Sequence, residues 1–138
     1  MTRWLLDTGP LVAYLDRTDP FHERCAGVID DFRGHLLTTS AVVVEAMHLL
    51  AETRGGPGAI VDFLARSETE IRANCTSLAI LQKAATLMHK YRDLPMDFAD
   101  ATLVLLAQET RLLRVLTLDR RGFATFRVAG KRFELVVD

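Results

Sequence analysis

An α/β protein with a mainly parallel sheet is the fold class that the sequence predicts, and three observations predict it. Four short strand-like runs, at residues 3–6, 35–39, 70–75 and 114–119, alternate with longer stretches of helical periodicity, the arrangement that lays helices over a parallel sheet. Turn formers punctuate the alternation at Asp7-Thr8-Gly9-Pro10, at Gly55-Gly56-Pro57-Gly58 and at Asp93-Leu94-Pro95. Two of the runs stop directly at an acid, Asp7 and Asp119, and open parallel sheets bind their ligands just outside such strand ends. The 138 residues have the size of one domain, which hides roughly 68% of its unfolded surface.

The elements follow in order. RWLL (3–6) is bulky and mostly apolar and ends at Asp-Thr-Gly-Pro, a short buried strand running into a turn. Pro10 suits a first helical position, so a helix is expected from there. In PFHERCAGVIDDFRG (20–34), Phe21, Cys25, Val28, Ile29 and Phe32 recur at helical spacing between Pro20 and Gly34, which makes an amphipathic helix. HLLTT (35–39) is a second strand, and Ser40 is the expected N-cap of AVVVEAMHLLAETR, which runs to the Gly55-Gly56-Pro57-Gly58 break. A helix over about 59–67, a weaker strand EIRANC (70–75) and an amphipathic helix over 77–92 come next. MDFADATLVLLAQETR carries an unbroken apolar centre at 103–107, the mark of a helix buried on more than one side. RVLTLD (114–119) is a fourth strand, and short extended pieces near 126–128 and 133–137 close the chain.

Composition narrows the function classes. With 49% apolar and 25% charged residues the chain has the balance of a folded soluble protein and not of a disordered one. No apolar stretch approaches the roughly 20 residues of a membrane span, and no basic segment followed by an apolar run opens the chain, so a cytoplasmic protein without a membrane partner is expected. Cys25 and Cys75 show no metal-ligand spacing and are expected as unpaired core or surface residues. The net charge of -1 divides unevenly, residues 111–138 carrying +4 and the first 110 residues -5.

Several carboxylates stand where burial makes an acid improbable without a task. Glu45 is the sole charged residue between Ala41 and Ala51, in a helix otherwise apolar apart from His48; its ordinary alternative is a narrow exposed stripe. Asp7 and Asp119 close strands, where an acid also serves to cap the next helix. Asp97 and Asp100 open the buried helix three residues apart and share one face, a place where the helix dipole alone favours acids. Asp100 runs directly into Ala-Thr-Leu-Val-Leu-Leu and is preferred over Asp97 as the acid facing a site. If strand ends and helix starts converge on one sheet edge, these acids, with no Lys in their motifs and His48 the one His, repel each other, and a hard divalent cation resolves the conflict. Mg²⁺ or Mn²⁺ takes carboxylate oxygens, water and substrate phosphate, and activates water for in-line attack on a phosphodiester. Thr8, Ser40 and Thr117 adjoin the acids and are candidates to hold a carboxylate or a metal-bound water, with turn and capping chemistry as the alternative.

LLDTGPLVAYLD, TTSAVVVEAMHLL, DLPMDFADATLVLLA and VLTLDRRGFATFR together resemble a PIN-domain ribonuclease, specifically the VapC-type toxins of bacterial toxin–antitoxin pairs. The likeness spans about residues 3–136, with four individually weak motifs in the family's order. It implies a three-layer α/β/α sandwich over residues 1–138, a Mg²⁺- or Mn²⁺-dependent endoribonuclease, commonly a homodimer, and inhibition by a small antitoxin, usually of the VapB type. By position, the family's metal-binding and catalytic acids fall on Asp7, Glu45, Asp100 and Asp119, with Asp97 as a frequent extra acid. Arg120 and Arg121 then become candidates for phosphates of an RNA substrate, while Trp4 and Phe21, at strand and helix positions, are expected in the core.

Rival readings need residues that are missing. A pepsin-like protease wants a mostly β chain and a twin Asp-Thr-Gly; a haloacid-dehalogenase-like phosphatase wants a second acid where Gly9 stands; a phospho-accepting receiver wants a Lys where Arg120 and Arg121 follow the late strand. Two alternatives survive: a non-catalytic domain that binds metal and RNA or a partner, and an RNA-processing PIN nuclease that is not a toxin.

Overall fold

The computed structural model describes residues 1–73 and 77–137. Five strands, β1 (Arg3–Leu6), β2 (His35–Thr39), β3 (Glu70–Arg72), β4 (Arg114–Leu116) and β7 (Glu134–Leu135), form one sheet in the order β3-β2-β1-β4-β7. Every neighbouring pair is parallel. Helices α1 (Thr8–Leu15), α2 (His22–Asp31), α3 (Ser40–Leu49), α4 (Gly56–Arg66), α5 (Leu78–Lys90) and α6 (Phe98–Thr110) fill the connections, and α7 (Arg120–Thr125) leads to a small antiparallel ribbon of β5 (Arg127–Val128) and β6 (Lys131–Arg132). This is the expected three-layer α/β/α arrangement.

A parallel sheet covered on both faces buries consecutive residues of its strands, and Leu5, Leu6, Val115 and Leu116 are all fully buried. Each such aliphatic side chain contributes about 1.5–3 kcal/mol on leaving water. Leu5 sits in register with Leu37 on one side and Val115 on the other, so β1 is the centre of the core. The chain leaves β1 toward β2 and β3, then returns to β4 on the opposite side. Such a reversal opens a crevice beyond the carboxyl ends of the two strands where it occurs, here β1 and β4. In α6 every residue from Ala99 through Ala107 is buried, as its apolar centre requires.

Several boundaries differ from the sequence expectation. α1 begins at Thr8, two residues before Pro10, because the Asp7 carboxylate caps it by accepting the Thr8 N–H at 2.8 Å. Ser40 is the first residue of α3 and not its N-cap; Thr39, still extended at the end of β2, accepts the Val42 N–H through its hydroxyl. α3 stops at Leu49, well short of residue 54, and the turn that follows reaches Gly55 and Gly56, both at positive φ, a backbone that glycine adopts without steric cost. α7 was not expected at all. Phe21 is 42% exposed and outside the core, whereas Trp4 is partly buried and stacks on Phe32 with ring centroids 3.8 Å apart. Cys25 is buried with a free thiol; Cys75 and the end of the third expected strand lie outside the described residues. Among the described residues no helix is long and apolar enough to cross a membrane.

Candidate active site

Asp7 leaves β1 and Asp119 follows β4 by two residues after Thr117, so both stand at the mouth of the crevice. Asp7 is almost fully buried. One of its oxygens accepts the Thr8 N–H and the other accepts the Thr117 hydroxyl at 2.7 Å. The Thr117 oxygen in turn accepts the Asp119 N–H at 3.0 Å, which ties the two strand ends to each other. The exposed Asp119 caps α7 by accepting the Gly122 N–H at 3.0 Å. A Cβ at Gly122 would displace the Asp119 carboxylate and stand 3.1 Å from the Phe126 ring, so glycine here lets Asp119 keep its capping position.

The other acids come from helix starts. Asp97 and Asp100 form a reciprocal capping box on α6: the Asp100 N–H donates to Asp97 at 2.8 Å and the Asp97 N–H donates to Asp100 at 3.2 Å. The box satisfies two of the donors that a helix start leaves without partners. Asp97 remains exposed and Asp100 is buried. Glu45 is half-buried on α3, and a run of buried hydroxyls holds that helix to α6: Thr39 meets Thr102 at 2.8 Å, and Thr102 donates to the Ala99 carbonyl at 2.7 Å.

Burial and mutual repulsion set the electrostatics. Loss of water raises the Asp7 carboxyl to about 6, and the negative charges of Asp97 and Asp119 add to the rise, against the lowering effect of its bonds from Thr117 and Thr8. Asp100 lies well above the ordinary carboxylate range, first through burial and then through the charges of Asp7 and Asp97. Glu45 is raised by desolvation and by Asp97, and lowered by the approach of the Thr8 hydroxyl. That hydroxyl is buried and has no hydrogen bond of ordinary length. The five acids thus share one electrostatic neighbourhood, in which Asp7, Glu45 and Asp100 are shifted by burial, by hydrogen bonds and by the charge of neighbouring acids.

These donors fit a hard divalent cation: all are oxygens, three are raised by burial and by like charge, and the buried Thr8 hydroxyl beside them makes no hydrogen bond of ordinary length. Among the described residues no three His, Cys, Asp or Glu side chains converge on one point. Mg²⁺ does not need them to, since it keeps several waters and takes one or two carboxylates. Ser40 lies with Glu45 and Asp97 in a groove of about 710 Å³ that Val44, His48 and Phe98 also line. Arg120 lines a second cavity beside Asp119, while Arg121 is exposed on α7 and lines neither. Sequence reasoning missed Gly122, whose place three residues after a strand-ending Asp was its available signal, and Thr102, a polar residue inside an apolar run.

No protein-family model matches the chain. It is 37% identical over 136 residues to the ribonuclease VapC26 of Mycobacterium tuberculosis, covering 96% of this chain and 98% of that protein. The crystal structure of the toxin VapC20 from the same organism, which cleaves the sarcin–ricin loop, superposes with a TM-score of 0.71 over 95% of this chain and 99% of that one, at 18% identity. That second likeness concerns the fold, and the first fixes the kinship: the chain belongs to the VapC family of PIN-domain ribonuclease toxins.

Proposed function

We propose that the chain is a Mg²⁺- or Mn²⁺-dependent endoribonuclease, the toxin of a VapBC-type pair, with Asp7, Glu45, Asp100 and Asp119 as its catalytic acids. The observation that carries this reading is the burial of both Asp7 and Asp100 within electrostatic reach of each other, a repulsion that a positive charge would relieve. One or two of Asp7, Asp100 and Asp119 would hold the cation directly, and the remaining acids, with Glu45 and Asp97, would hold its waters. When bound, such a cation lowers the pKa of water and offsets charge on a phosphodiester in the transition state. The chain's own contribution is orientation. Thr117 fixes Asp7 and, through its backbone bond, Asp119; the capping box fixes Asp100; the Thr39–Thr102 contact fixes the distance between α3 and α6. Thr8 and Ser40 supply hydroxyls along the same edge.

Partners follow the family. The substrate is RNA, and a VapB-type antitoxin would restrain the enzyme. A homodimer is favoured by large apolar side chains left exposed on one flank of the sheet, Val44 and Leu49 on α3, Ile71 on the edge strand β3, and Leu78 and Leu81 on α5. Expression of the chain without an antitoxin should arrest bacterial growth, and Asp100→Asn should abolish the arrest. Purified protein should cleave structured RNA with Mn²⁺ and stop with EDTA. Normal growth together with RNA left intact under either metal would remove the nuclease reading.

A further inference from the structure

A second cavity, of about 340 Å³, is lined by Phe21, Arg24, Leu118, Arg120 and Val137. Leu118 and Arg120 are the residues on either side of Asp119, so the cavity lies one residue along the chain from that acid, whose own side chain does not line it. Its wall is fixed to the Asp7 helix as well: at Gly9, in the first turn of α1, a Cβ would rest 3.4 Å from Leu118. The volume lies at the low end of ligand pockets, about 300–1,000 Å³, enough for one nucleotide and too small for a duplex.

Its chemistry is unlike that of the groove along Glu45, where two acids stand with Ser40 and His48 among apolar side chains. Phe21 caps the start of α2 without a side-chain hydrogen bond and is 42% exposed, an unusual position for a phenyl ring with no partner in the core. The Arg24 guanidinium lies over that ring, 5.5 Å from its centroid, a cation–π contact that orders the ring before anything binds. Arg120 supplies a guanidinium on the side nearer Asp119. An aromatic face next to guanidinium groups, one residue along the chain from Asp119, is the combination that holds single-stranded nucleic acid, the ring stacking on a base and the cation meeting a phosphate.

We infer that this cavity seats the unpaired nucleotide adjoining the scissile bond, its base against Phe21 and its phosphate against Arg120. The assignment rests on the ribonuclease function proposed above and adds a direction to it, because the strand must leave the acids on the α2 side and not along α3. Phe21 and Arg120 are positioning residues, which act on binding more than on the chemical step.

The test compares the Mn²⁺-loaded wild type with Phe21→Leu, Phe21→Tyr and Arg120→Gln on an RNA that the wild type cleaves, intact or with an abasic residue at each nucleotide flanking the cut. Leu keeps apolar bulk and loses the π-face, so Phe21→Leu is expected to raise KM about tenfold with kcat within about twofold. Phe21→Tyr should restore KM. One abasic position should cost the wild type the same factor and cost Phe21→Leu nothing further. Arg120→Gln should raise KM and flatten its dependence on salt. Wild-type cleavage with unchanged KM in Phe21→Leu overturns the pocket and leaves the ribonuclease standing. Weaker inhibition by the antitoxin at unchanged KM gives the cavity to that protein, also against the inference. A wild type that cleaves no RNA removes both.

Discussion

The Thr117 hydroxyl donates a 2.7 Å hydrogen bond to the buried carboxylate of Asp7 while accepting the Asp119 N–H at 3.0 Å. Two acids from different strands therefore depend on one side chain for their relative position. Thr117→Val keeps the volume and removes the bond. A hydrogen bond to a charged group contributes about 1.5–3 kcal/mol, so kcat/KM is expected to fall by about 10- to 100-fold, with Thr117→Ser recovering most of it. Steady-state kinetics of the three proteins at one Mn²⁺ concentration check this; equal rates would separate Thr117 from the site.

The raised carboxyls make the metal-free protein sensitive to alkali. Asp7 and Asp100 keep their protons in the native state at pH values where the unfolded chain has released them, so the native state binds more protons and stability falls as pH rises. For Asp7 the loss runs from its ordinary 3.8 to about 6 and is worth about 3 kcal/mol; Asp100 extends the decline to higher pH. Urea denaturation with EDTA should therefore give a higher midpoint at pH 5 than at pH 8. Asp100→Asn, whose amide oxygen can still accept the Asp97 N–H, should flatten this slope and stabilise the metal-free protein at pH 8. A slope of equal size in wild type and variant would mean that Asp100 carries no such burden.

Gly122→Ala separates function from stability. The added Cβ displaces the Asp119 carboxylate, which loses its cap bond at a cost of about 1 kcal/mol, while Ala in place of Gly favours the helix by about 1 kcal/mol. Melting should shift little, and RNA cleavage should fall at least tenfold, near the level of Asp119→Asn. Unimpaired cleavage would show that Asp119 does not need its present position.

Leu103, fully buried in α6, gives the opposite pattern. Leu103→Ala should cost about 2–5 kcal/mol through lost transfer energy and a residual cavity. Denaturation should show that loss, while the fraction that remains folded cleaves RNA at the wild-type rate.

What the sequence revealed depended on the physics behind each signal. β1, β2 and the burial of α6 were legible because a doubly covered parallel sheet and a central helix demand unbroken apolar runs, and RWLL, HLLTT and the centre of MDFADATLVLLAQETR have them. The acids were legible as anomalies, since ionised groups are expensive to bury. α7 was hidden because six residues with a glycine in the middle carry no helical period; it exists because Asp119 caps it and Phe123 is buried beneath it. Ser40 looked like a cap by residue type, but the cap is decided by where the extended backbone ends, at Thr39. Phe21 fitted the apolar stripe of α2 in sequence yet sits at the helix start, beyond the surface that the sheet covers. The Thr117 bridge joins residues 110 positions apart, which no local pattern announces.

The central claim is that carboxylates crowded at one sheet edge exist to hold a cation that cleavage requires. The rate of RNA cleavage as a function of Mn²⁺ concentration, measured for wild type, Asp7→Asn and Asp100→Asn after exhaustive chelation, tests it most directly. The account predicts no cleavage without metal, a saturable rise in the wild type, and rates at least about 100-fold lower in both variants at saturating Mn²⁺. Full wild-type cleavage in EDTA, or variants that match the wild type across the titration, would contradict it.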